Sequence, residues 1–138
     1  MDTNNLSDSD TLARTIWGEA RGEGAVGMQA VACVIMNRLK VSPARWGASI
    51  KDVCLQHLQF SCWNENDPNR DKLLSVNASD PAFLIALDIA DEACNDGLQD
   101  ITNGATSYYS AWMEIPPYWA KGVSPCATIG HHVFLKGV

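Results

Sequence analysis

Basic clusters are missing from this 138-residue chain, in which ten Lys and Arg face sixteen Asp and Glu for a formal net charge of −6. Sequence-independent nucleic-acid binding needs cations to neutralise phosphates, so nucleic acid is excluded as an expected partner. No apolar run approaches the roughly 18 residues of a membrane span, and no stable membrane association is expected. The opening residues, Met1-Asp2-Thr3-Asn4-Asn5, are acidic and polar where a Sec-type signal is basic and then apolar; the reading is synthesis in the cytoplasm without a signal peptide. The five cysteines, at 33, 54, 62, 94 and 126, are odd in number and contain no C-x-x-C pair, which argues against a zinc ribbon and a complete disulfide framework. Cys54 and Cys62 remain the one pair that an oxidising compartment could bridge. Only three histidines are present, so no metal and no cofactor is expected. Repeats and low-complexity tracts are also absent.

What is present is the composition of a folded domain, 46% apolar and 19% charged at a length suited to one core. A polar lead-in over residues 1–10 precedes a domain over 11–138. Ser9 or Asp10 caps a first helix from about Thr11 to Arg21, which Gly22 and Gly24 end. A second helix, about Ala25 to Lys40, is apolar on nearly all sides and reads as the central helix, with Gln29 and Asn37 as polar interruptions. Pro43 and Gly47 mark a loop, and Ala48 to Gln59 has short helical periodicity. Residues 64–69 read as turns. Asp80-Pro81 starts a further helix that runs to about Asn95. Ile101 to Ser110 is β-prone, and Thr128 to Leu135 alternates as one strand in which His131 and His132 diverge.

The densest chemistry lies in Trp17-Gly18-Glu19-Ala20-Arg21-Gly22-Glu23-Gly24. Glu19 falls on the apolar stripe of Leu12 and Ile16, where desolvation raises a carboxyl pKa and prepares a general acid. The plainer reading is an ion pair with Arg21 or a distant arginine. Gln59-Phe60-Ser61-Cys62-Trp63 sets polar groups beside aromatics, a texture that suits sugars and equally a packed turn. Of Tyr108 and Tyr109, adjacent on an extended run, one can be core while the other reaches a cleft.

Ala13 to Glu23, Asn37-Arg38, Gln59-Phe60-Ser61, Gly104 to Tyr109 and Ile129 to Phe134, in that order along the chain, resemble the cell wall hydrolase family of the SleB type. That family includes spore-cortex-lytic enzymes and phage or prophage endolysins. The resemblance implies a mainly α fold with a small β element (α+β), a lysozyme-like single domain, and a cleft for peptidoglycan glycan strands. It makes Glu19 the catalytic acid and lines the cleft with the Gln-Phe-Ser and Tyr-Tyr blocks; the candidate substrate-binding residues are then Gln59, Ser61, Trp63, Tyr108, Tyr109 and His132, with Arg21, Glu23 and Asn37 in support. The expected reaction is cleavage of the MurNAc–GlcNAc β-1,4 bond, as a muramidase or a lytic transglycosylase, by a monomer. Glu23 and Asp67 are the candidate second carboxylates, although Glu23 also suits a cap of the second helix. The acidic balance, the missing wall-binding module and the missing signal together favour a phage endolysin acting in the host periplasm. Two other classes stay open: a peptidoglycan endopeptidase with Cys62 and His131 or His132, and a glycan-binding module stacking sugars on Trp63, Tyr109 and Trp119.

Overall fold

The computed structural model describes residues 3–138; Met1 and Asp2, the start of the lead-in, lie outside the described residues. Six α-helices, four single 3₁₀ turns and one small sheet form among the described residues, the mainly α architecture with a β element that was expected. Helix α1 spans Asp8–Ala20, three residues earlier than its expected start, because Ser7 is the cap and accepts from the Asp10 N–H at 3.0 Å. Asp8 and Asp10 then occupy the first turn, where the helix dipole favours negative charge. The described part of the polar lead-in is tied to the domain, since Lys51 Nζ donates to the Leu6 carbonyl at 2.9 Å and its backbone N–H to Asp8 at 3.0 Å.

A single 3₁₀ turn, Arg21–Glu23, joins α1 to α2, Gly24–Val41. Two cores meet on α2, which explains why it is apolar all round. Met28, Val31, Ala32 and Ile35 face α1 and α6, while Ala30 and Val34 face Ala105 and Phe134 of the sheet region. The expected loop at Pro43 contains a one-turn helix, α3, Pro43–Trp46, closed by Gly47 at φ +140. A side chain at Gly47 would meet the Asp52–Val53 backbone at 2.8–2.9 Å, so this turn presses directly on α4, Ile50–Leu55. Helix α5, Pro68–Ser75, begins in the stretch read as turns. Its signal is the same as that of α6, Pro81–Cys94: Asp67 caps before Pro68 as Asp80 caps before Pro81. Buried Arg14 locks α5 to α1, donating to the Leu73 and Val76 carbonyls at 2.5 and 3.1 Å and pairing with Asp10 at 3.1 Å.

The sheet is antiparallel in the order β1 (Ser107–Ser110), β3 (His132–Leu135), β2 (Ala127–Ile129). The single strand expected over 128–135 is thus a hairpin. Gly130 at φ +56 breaks it, a conformation that costs L side chains and not glycine. All five cysteines are free thiols, Cys54 and Cys62 included, and both of these are fully buried.

Candidate active site

Gly18 decides how the site is assembled. A Cβ there would lie 3.0 Å from Cys62 and from Leu73, so glycine lets the 3₁₀ turn Ser61–Trp63 and α5 close tightly on this face of α1. The next residue, Glu19, is therefore held half-buried between that turn and β1. Tyr108 donates its hydroxyl to Glu19 Oε1 at 3.2 Å. Burial is the main cause of a raised Glu19 pKa, and the Asp67 charge adds to it; Tyr108, the Cys62 thiol and Arg38 pull the other way. A carboxyl whose proton is held more tightly through desolvation, yet which opens on a cleft, suits proton delivery.

That cleft has a volume of about 660 Å³ and is lined by Glu19, Arg38, Trp46, Gln59, Tyr108 and Trp119 among others. Arg38 is buried, donates to the Thr106 carbonyl at 2.6 Å and to Gln59 at 3.4 Å, and lies over the Trp46 and Phe60 rings at 4.1 and 5.2 Å. Burial lowers its pKa to about 10, which leaves it charged at neutral pH.

Of the residues singled out in the sequence, Glu19, Gln59, Ser61 and Tyr108 come together along the cleft. Trp63 stands beside them: it donates to Thr15 Oγ1 at 2.9 Å and borders an adjoining hollow of about 480 Å³ with His57 and Glu65, which shares Gln56, Leu58 and Phe60 with the cleft. Tyr109 points to the other face of β1 and packs edge-on to Trp119 at 6.1 Å. His132 stands behind Tyr108, ring centres 4.9 Å apart, where burial lowers its pKa. Arg21 makes no ion pair with Glu19 among the described residues; it lies over Trp17 at 4.3 Å and donates to Asn69 at 2.7 Å, tying the helical corner to α5. Glu23 holds the N-cap position of α2 but makes no side-chain cap. Its carboxylate pairs instead with His131 at 3.2 Å over the Gly130 turn. Asn37 bridges Asp100 at 3.0 Å and the Ala105 carbonyl at 2.9 Å, fixing the turn that leads into β1. Gln29 reaches the Gln99 carbonyl at 3.0 Å in the same connection.

Several cleft residues escape the sequence patterns, among them Arg45 and Trp46 entirely, and Arg38 in all but the Asn37-Arg38 match. Arg38 does carry a signal. It sits seven, four and three residues after Val31, Val34 and Ile35, a cation on a stripe of core residues. Trp46 carries none, because the pattern around Pro43 reads only as a loop.

A family model for cell wall hydrolases matches residues 22–135. The chain belongs to the cell wall hydrolase family. Glu19 lies just before the matched span, and the wider likenesses extend over it. Among curated proteins the hydrolase is 30% identical over 136 residues to the spore cortex-lytic enzyme of Halalkalibacterium halodurans, covering 93% of this chain and 34% of that relative. The chain thus spans about a third of that protein's length. Among solved structures it is similar to the catalytic domain of the germination-specific lytic transglycosylase SleB from Bacillus anthracis, with a TM-score of 0.70 and 25% identity over 96% of this chain and 98% of that one. The catalytic domain of Bacillus cereus SleB shares the fold, with a TM-score of 0.68 at 24% identity, covering 96% and 94% of the two chains. The lysozyme-like α+β fold of this hydrolase is that of the SleB catalytic domains.

The Tyr108–Glu19 contact gives a direct test of how the acid is tuned. Tyr108→Phe removes a bond that lowers the Glu19 pKa, so the alkaline limb of the pH–rate profile should move to higher pH. Turnover at the optimum should fall by roughly fivefold, the worth of one ordinary hydrogen bond. An unmoved alkaline limb would show that Tyr108 does not set the titration of Glu19.

Proposed function

We propose that this hydrolase is a peptidoglycan glycosidase that cleaves the MurNAc–GlcNAc β-1,4 bond with Glu19 as general acid. The observation that carries the reading is one half-buried, pKa-raised carboxyl opening on a polar and aromatic cleft of about 660 Å³. Glu19 would protonate the glycosidic oxygen as the C1–O bond breaks, with positive charge developing across the sugar ring. Glu19 is also the one carboxylate side chain along this cleft among the described residues. Glu23 is paired with His131, and Asp67 is committed to capping α5, where it accepts from the Asn69 N–H at 2.8 Å. One acid/base group suffices if the muramic C6 hydroxyl attacks C1, returns its proton to the Glu19 carboxylate and closes a 1,6-anhydro ring. Muramidase chemistry would need a second carboxylate to activate water or form the covalent intermediate. This favours the lytic transglycosylase outcome, in keeping with the name of the Bacillus anthracis neighbour.

Mass spectrometry of digested peptidoglycan separates the outcomes. Anhydro-muramic ends are expected; reducing muramic ends would replace this reading with hydrolysis, and intact glycan with cut peptides would remove it. The Cys62 endopeptidase reading has little support, since the thiol is fully buried and its pKa is driven far upward by burial and by Glu19. The His131 ring stacks instead on Trp112 at 3.9 Å, and the His132 ring packs at a tilt against Tyr108 at 4.9 Å. A stacking platform of Trp63, Tyr109 and Trp119 also loses support, because the Trp63 indole is tied to Thr15 and the Tyr109 ring packs edge-on to Trp119.

The biological role we propose is that of a phage endolysin acting, as a monomer, on the wall in the host periplasm. A net charge of −6 disfavours long-range capture by an anionic wall and suits delivery from within. Lysis on periplasmic expression, with no lysis when protein is added to intact cells, is the matching result.

A further inference from the structure

The cleft of this acidic protein is cationic at one end. The guanidinium carbons of Arg38 and Arg45 lie 4.1 and 4.0 Å from the centre of the same Trp46 ring, and all three residues line the cleft with Glu19. Two like charges on one indole repel each other, and each is partly offset by the ring's negative face. Neither has a carboxylate partner among the described residues, whose ion pairs are Arg14–Asp10 and His131–Glu23. Arg38 spends its Nε and one Nη on Thr106 and Gln59. Arg45 is exposed, and its guanidinium makes no hydrogen bond among the described residues; only its backbone carbonyl is engaged, accepting from Gln56 at 2.8 Å. A planar fork of donors is thus held on an aromatic surface with nothing to bind, in a chain whose charge is otherwise negative.

Repeating glycan supplies no anion of its own, but the substituent on muramic acid does. Where the lactyl group carries a stem peptide it is an amide, and the first free carboxylate belongs to the γ-linked glutamate of the stem. We propose that Arg45, with Arg38 behind Trp46, forms a carboxylate-binding subsite that takes this stem-peptide carboxylate. The hydrolase then selects glycan bearing acidic stems over glycan whose stem glutamate is amidated. Among the described residues Arg45 has its donors free for paired charge-assisted bonds, and its contact with the Trp46 ring at 4.0 Å holds the guanidinium at the cleft before substrate arrives.

This subsite rests on the glycosidase reading, and the experiment keeps the two apart. Wild type and Arg45→Gln are compared on three glycans: stems with free glutamate carboxylates, stems with that carboxylate amidated, and glycan stripped by an amidase so that the lactyl carboxylate is free. For wild type, kcat/KM on free-carboxylate stems should exceed that on amidated stems by roughly tenfold, the size of one charge-assisted hydrogen bond. In Arg45→Gln that ratio should collapse to within about twofold, and Arg45→Lys, which keeps charge without the fork, should fall between. A ratio unchanged by Arg45→Gln overturns the subsite. A loss confined to the stripped glycan also overturns it, assigning Arg45 to the lactyl carboxylate. Cleavage of no glycan by wild type defeats the glycosidase reading instead, and binding of the two muramyl peptides to Glu19→Gln protein then still tests the subsite: equal affinity for free and amidated stems refutes it.

Discussion

Glu19→Gln is expected to reduce turnover of purified peptidoglycan by roughly 10²–10⁴-fold, the range over which a positioned general acid contributes. Glutamine keeps the shape of the side chain and can still meet the Tyr108 hydroxyl, but it has no proton to give the glycosidic oxygen. KM should change far less than kcat, because the loss falls on the transition state. Activity within a few-fold of wild type, measured by release of soluble muropeptides, would remove Glu19 from the reaction. The same variant carries a stability signature of opposite sign. Burial raises the folded-state pKa of Glu19 above its unfolded value, so the folded protein holds this proton more tightly than the unfolded chain. The resulting stabilisation is complete below the unfolded pKa and is lost as pH rises through the folded pKa. Glu19→Gln should therefore melt higher than wild type at neutral and alkaline pH, and the two melting curves should converge in acid. A variant that gains stability while losing activity cannot have lost activity by misfolding.

Phe134→Ala should be the most damaging change outside the chemistry. Phe134 is fully buried on β3 and fills the second core with Ala30, Val34 and Ala105, the contact that seats the sheet on α2. Truncating a buried aromatic costs roughly 3–5 kcal/mol through lost transfer energy and the cavity left behind. For a domain of this size that corresponds to a fall in Tm of about 10 °C or more. Activity should drop further than stability alone explains, since the Tyr108 ring rests against Phe134 at 5.6 Å and Tyr108 positions Glu19. Phe134→Leu, which conserves most of the volume, should recover most of both. Equal activity of folded Phe134→Ala and wild type would show that the sheet does not position the acid.

Local physics is legible wherever one segment contains the whole signal. The Asp80-Pro81 start, the apolar α2, the acid on the stripe of α1 and the β-prone tyrosine pair each depend on residues within one turn or strand of each other. Expectation and structure part where a neighbour distant in sequence decides. Ser7 caps α1 in place of Ser9 or Asp10, with Lys51 holding the segment before it. The terminal strand is a hairpin whose turn, at Gly130 with φ +56, packs beneath the Glu23 carboxylate. Glu23 itself, a natural cap by position, is drawn away by His131.

Periodicity, caps and family motifs are properties of contiguous residues, and they carry this much: the chain makes a helical domain with a small sheet, and Glu19 is an acid on an apolar face at a helix end. What surrounds that acid is set in three dimensions. Tyr108, eighty-nine residues away, sits on its carboxylate, and Gly18 admits the Cys62 turn beside it. Trp63 is tied to Thr15 in a hollow beside the cleft that Arg38, Arg45 and Trp46 complete. Desolvation and charge depend on distances in space, and no spacing along the chain encodes them.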